Sequence, residues 1–90
     1  MDLSTIVADI HRLNHEIERF ELKYGVMSET FYEAYRDGEE PADDACVFDF
    51  EKWAGLYEVW LDRRRVYTDE IQRLRAQHHS LSKIIQPVGV

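Results

Sequence analysis

Ninety residues with 44% hydrophobic, 12% aromatic and 32% charged side chains make one small folded domain, not a disordered tract. No apolar run approaches the roughly 20 residues that span a bilayer, and Asp9, His11 and Arg12 interrupt the first apolar residues, so neither membrane insertion nor a secretory leader is expected. A single cysteine, Cys46, rules out an intrachain disulfide, and the expected location is cytoplasmic.

The net charge of −7 is unevenly spread. Residues 1–25 carry −2, residues 26–62 carry −9 and residues 63–90 carry +4. An acidic middle repels phosphate and attracts a basic partner. The last segment, with Arg63, Arg64, Arg65, Arg73, Arg75 and Lys83, offers an alternative nucleic-acid contact surface.

The first element is a helix over 3–24. Asp2 or Ser4 is placed to cap its free amides, and Gly25 permits the left-handed turn that closes it. Its seam is Leu3, Ile6, Ile10, Leu13, Ile17, Phe20 and Tyr24, at alternating spacings of three and four. That stripe is narrower than a globular core face and suits helix pairing. A short helix over 29–37 follows, with Ser28 as its expected N-cap and Phe31 and Tyr35 on one side, before Gly38 ends it. Residues 37–44 read as an acidic loop, where Pro41 biases the preceding residue away from helix.

A long helix then starts at 45 or at 50 and runs to 85, leaving a short tail at 86–90. Its seam is Phe50, Trp53, Tyr57, Trp60, Tyr67, Ile71, Leu74 and Leu81, with Arg64 and His78 at polar seam positions. Gly55 inside it costs about 1 kcal/mol relative to Ala, and close approach of another helix or a ring is the expected reason. At about 1.5 Å per residue this rod overhangs the first helix, which predicts a homodimer through Tyr67, Ile71, Leu74 and Leu81. A chain this short buries only about 60 to 65% of its unfolded surface, so association would also widen its stability.

Residues with the chemistry for catalysis or metal binding are scattered. His11 and His15 have helical ligand spacing, with Glu18 three residues on, but no second ligand cluster completes the three or four positions that zinc requires. Adjacent His78 and His79 diverge by about 100° on a helix. The pairs Glu39/Glu40 and Asp43/Asp44 lie among turn formers, not in an apolar cleft that would shift their pKa. No serine sits in a nucleophile elbow and the glycines form no phosphate loop. Cys46 reads as a small buried hydrophobe. No cofactor, metal or catalytic residue is expected.

The densest feature is aromatic: Tyr24, Phe31, Tyr32, Tyr35, Phe48, Phe50, Trp53, Tyr57 and Trp60. An antiparallel hairpin gathers them at one pole, as a core or as a partner surface; stacking on single-stranded nucleic acid is a third reading that the acidic surround opposes. Tyr32 and Trp60 are the members expected to be exposed. The candidate partner-binding set is Tyr32, Tyr35, Asp43, Asp44, Trp53, Tyr57 and Trp60.

The segments Phe20-Glu21, Lys23-Tyr24-Gly25, Met27-Ser28, Phe31-Tyr32-Glu33, Gly38-Glu39, Asp43-Asp44, Phe50-Glu51 and Trp53-Ala54-Gly55-Leu56-Tyr57-Glu58 fall in this order along the chain. Together they resemble a family of small prokaryotic antitoxin-like proteins encoded beside small toxins, including those of the TumE type. The likeness covers 20–61; extra residues between Gly38 and Phe50, together with Lys52 and Gly55, depart from the family pattern. It implies a toxin-neutralising partner role and supplies no catalytic residues. The fold expected is all-α: an antiparallel, coiled-coil-like hairpin of two long helices with a short helix between them, dimerised through the overhang.

Overall fold

The structure is a computed structural model describing residues 2–78 and 80–85. The tail at 86–90, His79 and the side chain of His78 lie outside the described residues. The described chain is all helical: α1 is Leu3–Tyr24, α2 is Ser28–Arg36, α3 is Val47–His78 and α4 is Leu81–Ile84, with a 3-10 turn at Asp44–Cys46 leading into α3. It is elongated, with extents of 51 × 28 × 20 Å.

Local chemistry accounts for the boundaries. The Asp2 carboxylate accepts from the Thr5 amide at 2.9 Å and from the Ser4 hydroxyl at 2.8 Å, capping α1. These bonds hold the Asp2 carboxyl below its usual value, the Thr5 amide first. At the other end Gly25, with φ 76°, takes the left-handed conformation and donates its amide to the Glu21 carbonyl. Asp43 caps the 3-10 turn by accepting from the Ala45 amide at 2.9 Å.

α1 and α3 pack as an antiparallel hairpin. Lys23 Nζ meets Asp49 Oδ2 at 2.6 Å and Arg63 Nε meets Asp9 Oδ2 at 3.4 Å. In both pairs the residue numbers add to the same value, so the register holds along the hairpin. The Lys23–Asp49 pair joins a cation in the last turn of α1 to an anion in the first turn of α3, the signs both helix dipoles favour. Tyr24 Oη donates to the same Asp49 oxygen at 2.6 Å. Lys23 first, then Tyr24, hold the Asp49 carboxyl below its usual range, and the same bond to Asp49 raises the Tyr24 phenol.

The core lies on the α1 seam, with Ile6, Ile10, Leu13 and Ile17 buried. It thickens at the turn pole, where Ile17, Phe31, Trp53 and Ala54 are enclosed by half-buried Phe20, Tyr24, Tyr35 and Phe50. Trp53 is the centre: 0% exposed, stacked on Phe31 at 3.9 Å and 2°, and flanked by Phe20 and Tyr24 at 5.8 Å each.

Several expectations need correction. The long helix ends at His78 and not at 85, because Ser80 is extended at φ −149° and ψ 130° before α4 begins. By the hairpin register Leu3 lies level with Asp69, so the last turns of α3 have no α1 surface beside them to favour continuation. At 32 residues α3 is about 48 Å long, shorter than expected. Ser28 is the first residue of α2, not its cap; Met27 holds the cap position without a side-chain bond. Gly55 is exposed, and a Cβ there would meet open space, so no close approach explains it. Phe48 leaves the aromatic pole and stands 80% exposed. Cys46 is half-buried.

Candidate functional site

The turn between α1 and α2 is organised by one carboxylate. Glu21 Oε2 accepts from both the amide and the hydroxyl of Ser28, each at 2.8 Å. The Ser28 oxygen in turn accepts from Trp53 Nε1 at 2.9 Å. A relay thus ties α3 through α2 to α1, and it fixes how α2 sits across the hairpin. Ser28 is 3% exposed, and its hydroxyl satisfies an indole that would otherwise be buried unpaired.

Seated this way, α2 brings Tyr32 beside α3. Its hydroxyl donates to Glu58 Oε1 at 3.0 Å, and its ring lies 5.2 Å from Tyr57. Tyr57 stacks on Trp60 at 5.6 Å and 11°. The result is a half-buried ladder of three rings across α2 and α3. Arg36 lies over the Tyr32 end and Arg64 over the Trp60 end, at 6.0 and 5.6 Å from the ring centres. Burial, then the bond to Glu58, raise the Tyr32 phenol. Burial, then Glu29 and Glu21, raise that of Tyr57. Both phenols stay neutral near pH 7.

Beside the ladder a half-open cleft of about 280 Å³ lies between α1, the start of α2 and α3. Asn14, Ile17 and Glu21 line it from α1, Met27, Ser28 and Glu29 from the α2 start, and Tyr57 and Trp60 from α3. Trp60 Nε1 is buried and has no hydrogen-bond acceptor among the described residues. A second hollow of about 380 Å³ lies under the acidic loop, walled by Tyr35, Phe31, Phe50, Glu39, Glu40 and Pro41 among others.

The seven residues expected to meet a partner therefore divide. Tyr32, Tyr57 and Trp60 come together as the ladder. Tyr35 packs on Phe31 at 5.6 Å and belongs to the loop side, with Asp43 and Asp44 exposed nearby in sequence. Trp53 is corrected: it is wholly enclosed and serves the core, not a surface. Glu21, Ser28, Glu29, Asn14 and Met27 were missed, because their meeting depends on the turn at Gly25 and follows no helical period.

The expected nucleic-acid cations are largely engaged. Arg63 pairs with Asp9 and Asp62, Arg65 with Asp62 and Asp69, and Arg73 with Glu70. Arg64 covers Trp60, and Arg75 and Lys83 are exposed with no such contact among the described residues. Spacings of three and four among Asp62, Arg65, Asp69, Glu70 and Arg73 were the available signal. Of the expected dimer residues, Tyr67 lies alongside α1 by the register and is half-buried. Ile71 and Leu74, also half-buried, lie beyond its start, and Leu81 is 56% exposed.

Among the described residues no cluster of three or more histidine, cysteine, aspartate or glutamate side chains is placed to hold a metal ion, and His11 and His15 are exposed. No described helix is long and apolar enough to cross a membrane. No protein-family model, curated protein or solved structure matches the chain.

Proposed function

We propose that this chain is a cytoplasmic protein-binding module of antitoxin type, neutralising a small basic toxin by covering it and not by catalysis. The observation that carries the reading is the ring ladder of Tyr32, Tyr57 and Trp60 with Glu21, Glu29 and Glu58 beside it. Tyrosine and tryptophan anchor interfaces because they bury large rigid area, and carboxylates around them steer a cationic partner. The −9 charge of residues 26–62 extends that field, and the resemblance over 20–61 points to the same role.

In this reading the working unit is a homodimer, joined in coiled-coil fashion where α3 passes the start of α1, with Ile71 and Leu74 at the contact. The nucleic-acid reading is the weaker one, since most of its cations already have anionic or aromatic neighbours. Calorimetric titration against the protein encoded beside this one, and against RNA, at two salt concentrations tests both. The proposal expects stoichiometric protein binding and none to RNA; RNA binding that falls steeply with salt, without protein binding, would overturn it.

A further inference from the structure

We propose that the cleft between α1, the start of α2 and α3 receives an arginine side chain of the protein partner. The assignment rests on the partner-binding reading and names what the partner contributes. At about 280 Å³ the cleft falls just short of the roughly 300 to 1,000 Å³ typical of small-molecule sites, and its half-open form suits one inserted side chain better than a cofactor.

Its carboxylates suit a guanidinium, which, as a donor only, leaves the buried Trp60 N–H still without an acceptor among the described residues. Glu29 is exposed and lines the cleft, and among the described residues Glu21 uses only its Oε2, on Ser28. Asn14, whose amide can accept as well as donate, lines the same cleft. Ile17 and Met27 offer apolar surface to an aliphatic stem, and Tyr57 and Trp60 supply flat walls. Acceptors spread over several residues match a planar fork of five donors better than the point charge of lysine. Burial first, and then the same two carboxylates, raise the Tyr57 phenol, as their nearness to this ring requires. The chain's own arginines already use the outer rings of the ladder, with Arg36 on Tyr32 and Arg64 on Trp60.

The two tryptophans make a direct test, because the Trp53 indole N–H is tied to Ser28 in the core whereas Trp60 lines the cleft. Nitrogen-15 NMR would follow both indole signals of the full chain during titration with acetyl-Gly-Arg-Gly-amide and with its neutral citrulline counterpart. The expected result is saturable movement of the Trp60 signal with the arginine peptide, a smaller movement of Trp53 passed on through Glu21 and Ser28, and little response to citrulline. Glu29→Gln, a change that leaves the Glu21–Ser28–Trp53 relay intact, should weaken the arginine response by about threefold to tenfold.

Equal responses to both peptides, no movement of Trp60, or a Trp53 movement larger than that of Trp60 would overturn the assignment. So would a Trp60 signal that moves only on dilution of the protein, which would give the cleft to a second copy. If the neighbour-encoded protein binds while the arginine peptide leaves Trp60 unmoved, the cleft assignment fails and the partner-binding reading stands. Movement of Trp60 as expected, with no binding of that protein, leaves the cleft assignment standing and removes the chosen partner.

Discussion

Trp53 donates its indole N–H to the hydroxyl of Ser28 at 2.9 Å, and both residues are buried. Because the same hydroxyl donates to Glu21, one serine links the three helices that form the turn pole.

Ser28→Ala should therefore cost more than an ordinary polar deletion in a helix. It strands a buried indole donor and removes one of the two bonds to Glu21, for about 1 to 3 kcal/mol. Trp53→Ala, which empties the centre of the ring cluster, should cost about 3 to 5 kcal/mol. Urea denaturation of the purified variants checks both. A Ser28→Ala variant as stable as the parent would show that the relay does not set the position of α2.

Gly55→Ala should stabilise the chain by about 1 kcal/mol, since the position is exposed in the interior of α3 and a Cβ meets nothing. Thermal unfolding followed by circular dichroism gives the sign. A loss of stability would mean that a partner approaches α3 closely there, as first expected from the sequence.

Acid should weaken the hairpin through Asp49. Its folded pKa is held below the ordinary value of 3.8, so the folded state binds fewer protons than the unfolded one. That contribution is whole above about pH 5 and drains away as the pH falls through the unfolded value toward the folded one. Asp62 and Glu70, lowered by Arg65 and Arg73, add in the same direction. Urea midpoints should fall between about pH 5 and pH 3, and Asp49→Asn should be less stable than the parent at pH 7 with a smaller gap at pH 3. A gap that persists unchanged at pH 3 would remove Asp49 as the cause.

Dimerisation is checked by sedimentation at micromolar concentration. A dimer through the end of α3 should dissociate in Ile71→Asp or Leu74→Asp, which bury an unpaired charge. A parent chain that sediments as a monomer across that range would remove the dimer.

How far the sequence could be read depended on how local each cause was. The α1 limits followed from Asp2, Gly25 and an unbroken three-and-four spacing, all within one helix turn of the effect. The end of α3 was missed because nothing in 70–85 breaks a helix by composition; the loss of α1 beside it is a tertiary fact. The role of Trp53 was misjudged for a related reason. Its seam position at spacing three and four is shared by Tyr57 and Trp60, and only the placement of α2 across the hairpin encloses one and leaves the others half-open. That placement depends on Glu21 reaching Ser28 across the Gly25 turn, a contact that no periodic pattern announces.

The central claim is that the ladder face, not the basic end of α3, meets the partner. Dissociation and association rates with the neighbour-encoded protein, measured for Tyr32→Ala, Trp60→Ala, Asp43→Lys with Asp44→Lys, and Arg75→Glu with Lys83→Glu, test it most directly, with folding checked alongside by circular dichroism. The account predicts faster dissociation for either ring variant, by about 2 kcal/mol or more if it is an anchor, and slower association for the loop pair. The α3 pair should leave both rates unchanged. Ring and loop variants that bind like the parent, with binding lost in Arg75→Glu and Lys83→Glu, would contradict it.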